Sequence, residues 1–365
     1  MPFLSDRFHE QNGSAPAPPT TTNRTGTFDA AAAVRAVEDR VRGQPDAIEA
    51  LHRALVVAQA GFGDRERPLA SLLLVGPTGV GKTEVVRRLA ATLRSGPDDL
   101  CRVDMGQLAQ EHYAAAISGS PPGYAGSREE STVLDRSRIE GTPLTPGIVL
   151  FDEVEKAHSV VLRALLAALD RGVLQPANGG RPFSFRNTLV FLTSNLGSGT
   201  VARQRSAAWR RALDRTASVP GVRAAAGNAV RALARRDSGA VDRAVRDFFD
   251  PEFLNRLDEV VHFAEITADV AREIVELRLG DVAERLARRD VSLEVDPDVV
   301  DHLARTGLDP AHGARSLSRL VHREVVAPAA VALVHARGTS DAPPALRVRL
   351  DRNGHPAVTV AAARP

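Results

Sequence analysis

The sequence predicts an α/β protein, a parallel sheet with helices on both faces, followed by a smaller α+β unit. Three observations carry the prediction. Short apolar runs at Leu72–Val75, Leu100–Val103, Ile148–Phe151, Thr188–Thr193 and Val260–Phe263 alternate with helical patterns, as in a parallel sheet buried on both sides. The first run stops at Gly76 and passes through a glycine-rich turn into a helix. Beyond about Thr267 the pattern becomes helices with strand-like segments at Val291–Val295, Leu346–Leu350 and Ala357–Val360. We therefore expect a large unit over residues 28–266 and a small C-terminal domain over residues 267–365.

Residues 1–27 are rich in Pro, Thr, Ser, Ala and Gly, with too little to bury to order a chain, and read as a disordered tail. A helix follows from Phe28, with Val34, Val37 and Val41 on one face, ending at Gly43-Gln44-Pro45. The next, about Asp46–Ala60, carries Ile48, Leu51, Leu55 and Val56 at helical spacing. Helices are also expected at Thr83–Leu93, around Gly106–Ile117, after Phe151 with Val161, Leu162, Leu165, Leu166 and Leu169 buried, and at about Ala268–Arg288.

The chain has 365 residues, 43% hydrophobic and 25% charged, ordinary for a globular protein with a real core. No run reaches membrane-span length and no apolar signal region opens the chain, so a cytoplasmic protein is expected. The single cysteine, Cys101, excludes an internal disulfide framework and reads as a small apolar residue on a strand. A net charge of +2 is too weak to indicate nucleic acid, although residues 196–247 hold 11 Arg against 4 Asp. Lysine occurs only at Lys82 and Lys156.

One of those lysines lies in Gly76-Pro77-Thr78-Gly79-Val80-Gly81-Lys82-Thr83, which fits G-x-x-x-x-G-K-[ST]. Glycines let backbone N–H groups face phosphate oxygens, and the following helix points its positive end at them. Lys82 would reach the β- and γ-phosphates and Thr83 would hold Mg²⁺, so ATP or GTP is the expected ligand. Asp152 and Glu153 end an apolar strand, Asp152 suited to a second Mg²⁺ contact and Glu153 to polarising the attacking water, although acids are also common at a plain helix start. Asn195, at the end of Thr188–Asn195, is equally suited to a γ-phosphate contact and to turning the chain before Gly197. Asp250-Pro251 reads as a helix start, with Arg256 behind it as an arginine finger or a surface salt-bridge partner. Arg315 opens a helix after Gly313, where a cation opposes the dipole and would serve an anion.

GPTGVGKTE, FDEVEKAH, FRNTLVFLTSNLG, DPEFLNRLDEVVHF and LDPAHGARSLSRL occur in that order. Together they resemble the second, C-terminal ATPase module of the Clp family of AAA+ unfoldases and disaggregases, here as a stand-alone chain. The resemblance implies an AAA+ P-loop fold, Mg²⁺-dependent ATP hydrolysis, a homo-oligomeric ring of six copies, and work on unfolded or misassembled proteins threaded through a pore. It implies that Asp152 and Glu153 are the metal-binding and water-activating acids, Asn195 a first sensor, Arg315 a second sensor, and Arg256 a finger for the neighbouring subunit. It further implies that Val41 packs on adenine, with Arg42 where the family commonly has an apolar residue, and that Tyr124, in GSPPGYAG, grips substrate in the pore. No Ile/Leu-Gly-Phe/Leu tripeptide is present, so docking to a peptidase is not expected. The rival readings are a nucleic-acid-directed motor or loader, which the aromatic pore loop disfavours, and a scaffold that assembles on ATP.

Overall fold

The computed structural model describes residues 27–110, 133–176, 180–197, 239–309, 312–336 and 345–361. Tyr124, the tail apart from Thr27, and positions 198–238 of the arginine-rich segment lie outside them, as does most of the helix expected up to Ile117.

Five strands make the main sheet: β1 (Ala70–Val75), β2 (Cys101–Asp104), β3 (Gly147–Asp152), β6 (Thr188–Ser194) and β7 (Glu259–His262). They run in the order β2-β3-β6-β1-β7, every neighbouring pair parallel. The central strands β1, β3 and β6 are buried at every position because both faces are covered, whereas edge strand β2 exposes Arg102 and Asp104. Leu72 and Leu74 of β1 enter one core, with Ile148, Leu150, Phe191 and the helices Ala30–Glu38, Pro45–Ala60 and Lys82–Leu93. Leu73 and Val75 enter the other, with Val149, Phe151, Leu192 and helix Ser159–Arg171. Cys101 is a buried free thiol on β2, and burial pushes its pKa up. A short hairpin, β4 (Val173–Leu174) with β5 (Phe183–Ser184), precedes β6; its two-residue strands are too short to leave a periodic signal.

Two local expectations need correction. The first helix stops at Glu38, after which Arg40 N–H and Val41 N–H both turn back to Val37 O, and the Val41 side chain lies against Gly81 of the phosphate loop. Val56 is 43% exposed although it lies at helical spacing; helix Pro45–Ala60 buries the Leu51, Leu55 and Ala58 stripe instead.

After β7, helix Ala268–Ala287 starts a third core of Val275, Leu279, Val299, Leu303, Leu317 and Val348. Its sheet has β9 (Ala345–Leu350) in the centre, parallel to β8 (Ser292–Val295) and antiparallel to β10 (Pro356–Ala361). Among the described residues no helix is long and apolar enough to cross a membrane.

Candidate active site

β1, β3 and β6 are neighbours in the sheet, so their carboxyl ends open side by side, where ligands bind in open α/β sheets. The phosphate loop leaves β1, Asp152 and Glu153 end β3, and Asn195 follows β6. They line one cleft of about 880 Å³ with Thr78, Gly79, Gly81, Thr83 and Arg315.

The loop holds its lysine in place. Lys82 is 7% exposed, and its Nζ donates to Gly76 O (2.6 Å), Pro77 O (2.8 Å) and Asn195 Oδ1 (2.9 Å). All three partners are neutral. Burial lowers the Lys82 pKa to about 8, against the attraction of Glu155 and Asp152 and with Arg315 adding to the depression. A buried ammonium with neutral partners is matched by an anion. Helix Lys82–Leu93 also begins at Gly81 with no side-chain cap, so its first amides face the same cleft.

A single hydroxyl organises the acids. Thr193 Oγ1 donates to Asp152 Oδ1 at 2.5 Å and accepts the Glu153 N–H at 2.9 Å. Glu153 takes a left-handed backbone, φ 59° and ψ 53°, a conformation that costs a non-glycine residue about 1–3 kcal/mol. Its carboxylate accepts from Asn195 Nδ2 at 3.2 Å and pairs with Lys156. Asn195 N–H donates to Glu155 Oε1 at 3.0 Å, so Asn195 links the lysine, the strained acid and the turn that carries it. Arg102, from β2, donates to Asp152 Oδ2 at 2.6 Å.

The small domain closes the cleft through backbone. Ala314 N–H donates to Gly79 O at 2.9 Å. A Cβ on Gly79 would lie 2.1 Å from His312 O, and one on Gly313 would lie 2.8 Å from both Thr78 O and Gly79 O. This approach puts Arg315, one residue on, into the cleft. Val41 borders an adjoining hollow with Val80, Gly81, Ile274 and Leu277. Gln44 holds that segment by a reciprocal pair with Ala264: Nε2 donates to Ala264 O at 2.9 Å and Oε1 accepts Ala264 N–H at 2.8 Å.

The donor set fits nucleotide phosphates with a divalent cation. Among the described residues no cluster of three His, Cys, Asp or Glu side chains is arranged for a metal. Thr83 and Asp152 line the same cleft as the phosphate loop, a hydroxyl and a carboxylate of the kind that suits Mg²⁺, which keeps waters and takes ligands from substrate phosphates.

Arg256 is the expected residue that the fold does not bring to this cleft. It precedes β7, whose Glu259 pairs with Leu72 near the amino end of β1, whereas the phosphate loop follows the carboxyl end. Six residues of β1 separate those ends, roughly 20 Å at strand rise. Pro251 does begin a helix there, Pro251–Leu254, but Asp250 makes no side-chain cap bond. Sequence reasoning gave no role to Thr193, Arg102 or Glu155, and read Gln44 only as part of the segment that carries Val41. The one local signal was Thr193-Ser194, polar residues inside a strand that is buried at all seven positions.

A nucleotide-sized cleft at the sheet's switch point, lined by a phosphate loop, paired acids and a polar strand end, defines a P-loop nucleoside triphosphatase. Comparison with known proteins narrows the class. The family described as "AAA domain (Cdc48 subfamily)" matches residues 67–260, and the "C-terminal, D2-small domain, of ClpB protein" matches residues 266–341. The chain is 48% identical over 353 residues to an "ATP-dependent protease ATP-binding subunit-like protein" of Rhodococcus erythropolis, covering 96% of this chain and 97% of that one. It is 44% identical over 304 residues to the similarly named AmiB protein of Pseudomonas aeruginosa, covering 83% and 79%. Against "Chaperone protein ClpB" of Meiothermus ruber it is 38% identical over 289 residues, 79% of this chain but 31% of that protein. The chain belongs to the Clp group of AAA+ ATPases.

Proposed function

We propose that this chain is the subunit of an ATP-driven ring, most simply a hexamer, that unfolds or remodels protein substrates by drawing them through a central pore. The observation that carries the ring is the separation of Arg256 from its own cleft by the length of β1. That cation serves phosphate only at a second copy of the chain. Within a cleft, the backbone N–H groups from Thr78 to Gly81 and the Lys82 ammonium hold the phosphates, and Val41 packs on the base. Thr83 and Asp152 would hold Mg²⁺, which would supply positive charge to offset that of the phosphates. Glu153, turned into the cleft by its left-handed backbone, orients and deprotonates the attacking water. Asn195 fixes that carboxylate relative to Lys82. Arg315 reports γ-phosphate to the small domain, and Arg256 of the neighbouring copy stabilises the transition state.

Protein remodelling rests on the likeness to ClpB chaperones and on Tyr124, which lies outside the described residues. Three relatives bear protease-subunit names, but the peptidase-docking tripeptide is absent from this sequence, and we assign no peptidase partner. We place the protein in the cytoplasm. The test measures ATP turnover alone, with a permanently unfolded protein and with single-stranded DNA. Stimulation by unfolded protein, lost in Tyr124→Ala with basal turnover kept, is the expected result. Stimulation by DNA alone would establish the nucleic-acid motor, and indifference to both would establish the scaffold.

A further inference from the structure

At the amino end of β1 the Arg256 guanidinium is held. Its Nη1 lies 2.9 Å from Asp170 Oδ1, with the two side chains 40% and 36% exposed. Asp170 is in the last turn of helix Ser159–Arg171, where a carboxylate faces the negative end of the helix dipole and needs a cation. Beneath the pair, Arg67 fastens the backbone. It donates through Nε to Leu169 O at 3.2 Å and through Nη2 to Arg256 O, and its Nη1 lies 3.6 Å from Asp258 Oδ1. Asp258 Oδ2 in turn accepts the Ser71 N–H at 2.6 Å. The helix end, the turn carrying Arg256 and the start of β1 are thus tied together by two guanidiniums and two carboxylates.

We propose that Asp170 and Arg67 are positioning residues that seat Arg256 for the nucleotide site of a second copy of this chain. The proposal rests on the finger reading of Arg256 given above. An arginine on a surface turn samples many rotamers, and fixing it at the moment of reaction costs entropy. Asp170 removes part of that freedom beforehand while engaging one nitrogen of a planar group with five N–H donors, so the rest remain free for phosphate. Arg67 sets the height of the turn by holding its carbonyl.

The experiment compares ATP turnover by full-length Asp170→Asn, Asp170→Glu, Arg67→Lys and Arg256→Ala at saturating protein concentration. Each variant is also mixed with the Lys82→Ala chain, with co-assembly shown by sedimentation. Asp170→Asn is expected to lose about tenfold in kcat with KM for ATP changed less than about twofold, because its own cleft is untouched. Arg67→Lys should lose a similar factor, and Asp170→Glu should recover part of the loss. Mixing with Lys82→Ala should restore turnover, since that chain supplies a well-seated finger to the intact cleft of Asp170→Asn. Asp170→Asn turning over within about twofold of the parent, with Arg256→Ala inactive, would leave the finger and overturn the seat. Loss without rescue in a co-assembled mixture would make Asp170 a structural support only and also overturn it. Full activity in Arg256→Ala would instead remove the finger reading itself.

Discussion

At the carboxyl ends of β1, β3 and β6 the polar side chains hold one another: Lys82 is 7% exposed and bound to three acceptors, and Thr193 serves two acids at once. At the amino ends Arg256 and Asp170 face solvent, each side chain more than a third exposed. The first region is preorganised, with fixed dipoles and a buried ammonium aimed at where an anion will lie, which is how a site stabilises charge without rearranging. The second offers a cation at the surface, where an ion pair by itself contributes about 0–1 kcal/mol. The difference sets a preorganised cleft at one end against an exposed cation at the other, which under the function proposed above is a group lent to a second copy.

The largest effect should come from the lent group. Arg256→Ala is expected to lower turnover by about 10³–10⁵-fold, the worth of an arginine finger, whereas loss of a surface salt bridge would barely register. Adding the Lys82→Ala chain should return some hydrolysis, read by phosphate release, because a mixed ring pairs an intact cleft with an intact finger. Retention of most activity would collapse the comparison.

Next is the cleft's own chemistry. Glu153→Gln should lose about 10²–10⁴-fold in turnover while nucleotide affinity, measured by calorimetry, stays within a few-fold. Lys82→Ala should weaken affinity itself. Near-parent turnover in Glu153→Gln would remove the assigned base and leave the strained backbone at that position without a purpose.

The smallest effect probes how the cleft is closed. Gly313→Ala would place a methyl group 2.8 Å from two carbonyl oxygens of the phosphate loop, at φ 53°. It should destabilise the fold by roughly 1–3 kcal/mol and weaken nucleotide binding as the small domain is pushed off the loop. Unchanged melting and affinity would show that the backbone contact between Gly79 and Ala314 carries no coupling.

The main sheet was legible in the sequence because its central strands are short apolar runs bounded by turn residues, and burial on both faces leaves no other use for such a run. The phosphate loop and the Asp152-Glu153 pair were legible for a related reason. Their chemistry lies within a few consecutive residues, so spacing alone states it. The helix stop at Glu38, the exposure of Val56 and the hairpin β4–β5 were not legible, because each depends on what packs alongside.

The sequence by itself determined the fold class and, through contiguous motifs, which residues are suited to hold phosphate and which to activate water. Tertiary structure alone decided that Asn195 meets Lys82 across 113 positions, that Thr193 holds Asp152 across 41, and that Gly79 receives a bond from Ala314. It also decided that Arg256 stands at the end of β1 remote from its own cleft, beside Asp170. The physical reason is range. A motif records bonds along a few residues of chain, whereas hydrogen bonds between strand ends and a cation's distance from its own site are set by sheet order, which no local spacing encodes.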